Sequence, residues 1–362
     1  MTEIQSFNPR KIIRQIFLSL IISLGSIVGI FSLISFRGVK IDLTAFRPAW
    51  LFYGVIAIII AWISDAIRLY VTTRAWRKPI PFRNAITGVL SCYFMSAITP
   101  SATGGSPAEM LIMNRSGFTW GEAGSLTAIC GILYQVTLLI LLFILVFLFQ
   151  VSFALRGILL NLLYSFLIFY CSLMFLLFFF LYRIDQVYRL VNWGMGFTRR
   201  HFPKVKFSEE KVIEWIKEFF GDFKSGFRIL CIEKPQYLLW NIAGYSMYFL
   251  CFFSVAFFSL RSLGVNLPLL KVISDQIPLH LAFGFLPTPG ASGGVELSIS
   301  SIFLQYTGPG KIGMFILFWR LITFFLSLVI GAITFFRVLY SISKLTSPEV
   351  KNSQIKNTIK VE

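Results

Sequence analysis

The chain has 362 residues, of which 56% are hydrophobic, 17% aromatic and only 14% charged, with a mean hydropathy of +0.77. A soluble domain carries nearer a quarter charged residues, and several windows exceed the roughly 18 apolar residues of a spanning helix, so the composition excludes a soluble fold and predicts an all-α polytopic integral membrane protein. The net charge of +17 sits in short segments between apolar runs, where it orients a membrane protein, and this excludes nucleic acid as a partner.

Arg10, Lys11 and Arg14 precede an apolar run that continues to Phe36. It is too long for a signal sequence, so 16–36 is predicted as the first span. A second span is predicted at 50–73, followed by the basic cluster Arg74, Arg77, Lys78 and Arg83. The shorter apolar stretch 85–98 ends in TPSATGG at 99–105, whose proline and paired glycines oppose a continuing helix. The helix expected next, 107–115, is about 14 Å long and cannot cross a bilayer. Long spans are predicted at 123–150 and 157–182.

Residues 183–234 are rich in charge of both signs and read as a solvated segment. Within it, SEEKVIEWIKEFFGDF begins with Ser208 as an N-cap and glutamates in the first turn. Val212, Ile216, Phe219, Phe223 and Phe227 share one helical face, which predicts an amphipathic helix on the membrane surface or packed under the bundle. A span at 237–260 follows. The stretch 272–286 then leads into TPGASGG at 288–294, a near copy of the first heptapeptide. A short segment at 295–306, a last span at 312–336 and a polar tail at 342–362 complete the chain.

Span, interrupted hairpin, span at 49–150 thus matches span, interrupted hairpin, span at 237–336. Placing the basic segments in the cytoplasm puts both termini there and gives the two halves opposite directions. The prediction is about six spanning helices plus two opposed re-entrant helical hairpins arranged as an inverted repeat, in one transmembrane domain over 1–341.

Several residues within this frame could carry chemistry. Gly104, Gly105, Gly293 and Gly294 would let a ligand approach the start of each return helix, where the helix dipole favours an anion, and Thr99, Thr103, Thr288 and Ser292 add hydroxyls. A tight packing of the hairpins explains the same glycines. Ser106, Pro107 and Glu109 form an expected capping box, and Glu296 is placed to cap likewise; either carboxylate could equally carry a proton or meet a lipid headgroup, and the two roles do not exclude each other. Asp65 and Arg68, one turn apart, are expected to pair. Arg320 lies roughly 13 Å into the last span, where it could hold a phosphate or pair with Asp65, Asp275 or Glu296. Gln135 reads as helix-joining polar glue.

No metal site and no cofactor is predicted. The five cysteines (Cys92, Cys130, Cys171, Cys231 and Cys251) form no CxxC, His201 and His280 have no companion ligands nearby in sequence, and there is no P-loop, GxSxG or HExxH.

The segments TPSATGGSPAEMLIMNRSGFTWGEA and ILYQ, then LPTPGASGGVE and FWRLITFFLSLVIG, resemble in that order the flippase-like membrane domain of lysylphosphatidylglycerol synthases. The resemblance covers about residues 10–340 and implies lipid translocation. In full-length members a cytosolic aminoacyltransferase domain follows, for which the 26 residues after Phe336 leave no room. The expectation is therefore a flippase for an anionic or aminoacylated phospholipid, multi-pass in the cell (plasma or inner) membrane. The alternative is the membrane component of a phosphatidylglycerol lysyltransferase. Membrane lipids are the expected partners, with a homo-oligomer or a separate lipid-modifying enzyme left open.

Overall fold

The computed structural model describes residues 9–36, 40–149, 209–283 and 286–345, with isolated positions between 164 and 193. The described residues form helices and no named strand. α1 is Pro9–Phe36, α2 Ala49–Ala75, α3 Phe82–Ile98, α4 Gly105–Arg115 and α5 Trp120–Phe143, which runs on into a π turn, Ile144–Leu148. After the gap come α6 (Glu209–Arg228), the π turn Ile229–Glu233, α7 (Pro235–Ser262), α8 (Leu269–Phe283) and α9 (Gly294–Thr307). α10 (Pro309–Arg320), the π turn Leu321–Phe325 and α11 (Leu326–Leu345) close the chain.

Four stretches are long and apolar enough to cross a membrane: α2, α5, α7 and the continuous Pro309–Ser341. They match four of the six predicted spans. α1 contributes the shorter apolar stretch Ile13–Gly29; the span expected at 157–182 is described only at isolated positions, and Ser208 and the tail after Leu345 lie outside the described residues. Local chemistry sets the boundaries. α5 starts earlier than predicted because Thr119 Oγ1 accepts the Glu122 N–H at 3.1 Å while Glu122 Oε2 accepts the Thr119 N–H at 2.9 Å. That reciprocal box satisfies two amides a helix start otherwise leaves open. The last span begins at Pro309, whose missing N–H costs nothing at the first helical position.

The two halves repeat in length as well as in sequence. α2 and α7 have 27 and 28 residues, α3 and α8 have 17 and 15, and α4 and α9 have 11 and 14. α2 and α7 lie along each other through small residues. A Cβ on Gly244 would come within 2.8 Å of Arg68 Cβ, and Ser64 Oγ donates to the Gly244 carbonyl at 3.1 Å. The buried face of α2 runs Ala57, Ile58, Ala61, Trp62, Asp65, Ala66, Arg68 and Leu69, a helical stripe in which two charges interrupt an apolar row.

α6 is amphipathic, as its sequence predicts, and of the two expected placements it takes the packed one. Phe223 is buried, Phe219 and Phe227 are half-buried, and the helix lies against α5. The same contact leaves Asp222 half-buried near Glu122 and Glu218. Desolvation first, then those two carboxylates, hold its carboxyl above the usual carboxylate range.

Candidate functional site

Each helical hairpin, α3–α4 and α8–α9, turns at one copy of the heptapeptide, and the two turns meet. Pro100 and Pro289 form an isolated antiparallel bridge, and Ser101 Oγ donates to the Leu286 carbonyl at 3.3 Å. The turns share a backbone. Ser101 and Ala102 have φ of 50° and 56°, and Gly290 and Ala291, at the matching positions, have 58° and 54°. Only one of these four is glycine, so each tip holds ordinary residues in a left-handed conformation that costs on the order of 1 kcal/mol or more apiece.

Most of the predicted tip residues are used up in building the tips. Thr99 Oγ1 donates to the Met95 carbonyl at 2.6 Å and accepts the Gly104 N–H at 2.8 Å. Thr103 Oγ1 donates to the Pro100 carbonyl, and Thr288 Oγ1 to the Ser292 carbonyl. A Cβ on Gly104 would lie 2.7 Å from Thr99 Cγ2, on Gly105 2.1 Å from Ser96 Oγ, and on Gly294 2.7 Å from Leu286 Cδ1. These three glycines therefore permit close packing within each hairpin. Gly293 differs. Its φ is 87°, and a Cβ there would meet nothing within 4 Å. Ser292 Oγ is buried and makes no hydrogen bond.

The charged residues fall into two buried clusters. In the first, Arg68 Nε lies 2.6 Å from Asp65 Oδ1, its Nη1 lies 3.0 Å from Cys130 Sγ, and its guanidinium stands 4.3 Å over the Tyr245 ring. Glu109 completes it, with Oε1 at 4.0 Å from Arg68 Nη2 and no hydrogen bond of its own. This corrects the expected capping box at Ser106. α4 already begins at Gly105, Gly104 occupies the cap position and no side chain caps it, because the tip's own turn supplies the helix start two residues too early for a cap at Ser106. Glu109 is thereby carried inward towards Arg68.

In the second cluster Glu296 does cap: its Oε2 accepts the Gly293 N–H at 2.7 Å. The same oxygen is 2.9 Å from Arg320 Nη2, and Ser23 of α1 donates to Oε1 at 3.2 Å. Of the three partners considered for Arg320, the structure selects Glu296; Asp65 pairs with Arg68 and Asp275 with Lys271. The ion pair is close but off the hydrogen-bond line, and Arg320 Nε has no acceptor. Trp319 and Phe324 flank the guanidinium at 5.3 and 5.0 Å. Arg320 also sits where α10 gives way to a π turn, a distortion frequent at functional sites.

Sequence reasoning missed the aromatic hydroxyls. Tyr93 of α3 donates to Asp65 Oδ2 at 2.5 Å, the Tyr248 hydroxyl of α7 faces those of Tyr93 and Tyr134, and the Tyr134 hydroxyl of α5 is 2.5 Å from His280 Nε2 of α8. This row of polar groups ties both hairpins to α5 and α7. The expected glue residue, Gln135, leaves its Oε1 without a partner. No group of three metal-ligating side chains occurs among the described residues.

Long apolar helices, two interrupted hairpins joined at their tips and charges buried among them define a polytopic helical membrane protein. The chain belongs to the family described as the lysylphosphatidylglycerol synthase transmembrane region, whose family model matches residues 16–331. It is also 24% identical over 320 residues to a UPF0104 membrane protein of Archaeoglobus fulgidus, an alignment that covers 80% of this chain and 85% of the relative.

Proposed function

We propose that the protein carries phospholipids with anionic or aminoacylated headgroups between the leaflets of a cell membrane. Family membership supports a lipid-related role. The observation that carries translocation is Arg320, a buried guanidinium with an unused Nε, joined through Glu296 to the second tip, where Ser292 Oγ is also unpaired. Moving a headgroup through hydrocarbon costs many kcal/mol because its charge leaves water. Donors already fixed in the bundle replace that hydration, and a guanidinium matches phosphate geometry.

The hairpins are read as re-entrant and opposed. Each of their four helices is shorter than the roughly 20 residues a span needs, and non-helical backbone at membrane depth is tolerated where protein surrounds it. Both termini and the base of α3–α4, with Arg74, Arg77, Lys78, Arg83 and Arg115, are assigned to the cytoplasm. In a variant without native cysteines, cysteines at Asn114 and Arg115 should label from the cytoplasm and ones at Thr307 and Gly308 from outside. Labelling of both pairs from one face would refute the opposed arrangement.

The transport test uses purified protein in liposomes containing a fluorescent phosphatidylglycerol. A membrane-impermeant reductant bleaches only the outer leaflet of empty liposomes; with the protein present it should bleach nearly all the dye, in the absence of aminoacyl-tRNA. Bleaching no greater than in empty liposomes, with and without an imposed proton gradient, would reject translocation. Aminoacylation of the lipid by the purified chain would favour the enzyme reading instead.

A further inference from the structure

A cavity of about 460 Å³ lies away from the tips, between the base of the α3–α4 hairpin and α11. Three arginines line it: Arg83 at the start of α3, Arg115 at the end of α4 and Arg337 on α11. No carboxylate lines it, and none of the three arginines forms an ion pair among the described residues. The nearest approach to a partner is Arg115 Nη1 to the Val338 carbonyl, at 3.5 Å. Thr87 and Thr334 add hydroxyls, and deeper in, Leu90 and Ile112 give the cavity an apolar wall.

Three like charges from separate helices, converging on one cleft with no acid between them, focus a strong positive potential. Guanidinium groups bind phosphate oxygens in pairs, which a lone lysine cannot do. A free phosphate would fill only the basic end and leave the Leu90–Ile112 wall uncovered. A phospholipid would place its phosphate among the arginines and its glycerol and first methylenes along that wall.

We propose that this cavity binds the phosphodiester headgroup of an anionic phospholipid, drawn from the leaflet at that end of the bundle, as a loading site ahead of the buried tips. Only its place in transport rests on the translocation proposed above; the binding itself does not. The test is native mass spectrometry of the full chain titrated with phosphatidylglycerol or phosphatidylcholine. Each of Arg83→Gln, Arg115→Gln and Arg337→Gln should weaken phosphatidylglycerol binding roughly fivefold, the scale of one basic residue at an anionic lipid surface. The triple glutamine variant should bind phosphatidylglycerol no better than phosphatidylcholine, and the triple lysine variant should recover part of the preference.

Unchanged preference in the single variants would overturn the site, whether or not the triple variant folds. Complete displacement of phosphatidylglycerol by inorganic phosphate would show a free-anion site and overturn the lipid assignment. Binding that depends on the arginines in a protein inert in liposomes would keep the site and remove translocation. Exchange in liposomes with arginine-independent binding would do the reverse.

Discussion

Arg320→Ala is expected to lower stability by about 3–5 kcal/mol, the cost of leaving one partner of a buried ion pair alone. Glu296 is fully buried, and its carboxylate would remain fixed by the Gly293 N–H and the Ser23 hydroxyl with no cation beside it. Neutralising both partners, as in Arg320→Met with Glu296→Gln, should recover most of that loss, because no buried charge is then unpaired. Lipid exchange should not recover with it, since the double variant restores packing and lacks the guanidinium. Arg320→Lys should give intermediate exchange, keeping the charge and losing the fork. Thermal unfolding, followed by a thiol-reactive dye at the buried Cys130, reads the first effect and the liposome assay the second. An Arg320→Ala protein as stable as the parent would remove the ion pair from the account.

Arg68→Gln is the second large effect, also about 3–5 kcal/mol or more, because two carboxylates depend on that one cation. Asp65 would keep only the Tyr93 hydroxyl, and Glu109 would lose the cation beside it. Counted as ionised, the three groups sum to one negative charge, so the surplus lies with Glu109, whose Oε1 has no hydrogen bond. Glu109→Gln should therefore leave the unfolding temperature unchanged or raise it, the opposite of Arg68→Gln. Equal destabilisation by both substitutions would mean that Glu109 is held by contacts other than Arg68. A stable Glu109→Gln protein with slowed lipid exchange would place that carboxylate in the transport step.

What could be read from the sequence was local and periodic. The two heptapeptides, the short helices around them and the amphipathic face of α6 all follow from residue type and spacing, and the structure contains them. The pairing of Asp65 with Arg68 was legible because three residues along a helix is one turn. The role of Glu109 was not. Its Ser-Pro-x-Glu context signals a cap, and only the tip's backbone and the approach of α2 turn it towards Arg68. The tyrosine row was hidden for the same reason, since Tyr93, Tyr134, Tyr248 and His280 come from four helices whose order in the bundle no spacing reveals. The π turn after Arg320 has no mark in LITFF. The glycines were legible as important but ambiguous in role, because close backbone approach to a ligand and close packing of a hairpin make the same demand on sequence.

The bridge between Pro100 and Pro289 also bears on how the protein is made. The first tip emerges from the ribosome with nothing to pair against, and Ser101 waits for the carbonyl of Leu286. Throughout most of synthesis the leading half is thus an unfinished unit, holding a strained, non-helical turn that only a distant part of the same chain can close. Such long-range closure comes late in folding. On the re-entrant reading proposed above, a nascent chain stopped before Leu286 would leave that turn uncovered in hydrocarbon, where each unsatisfied backbone group costs several kcal/mol. The two halves of the chain are thus bound to each other in assembly, and a fragment that ends before Leu286 is expected to be degraded faster than the full chain.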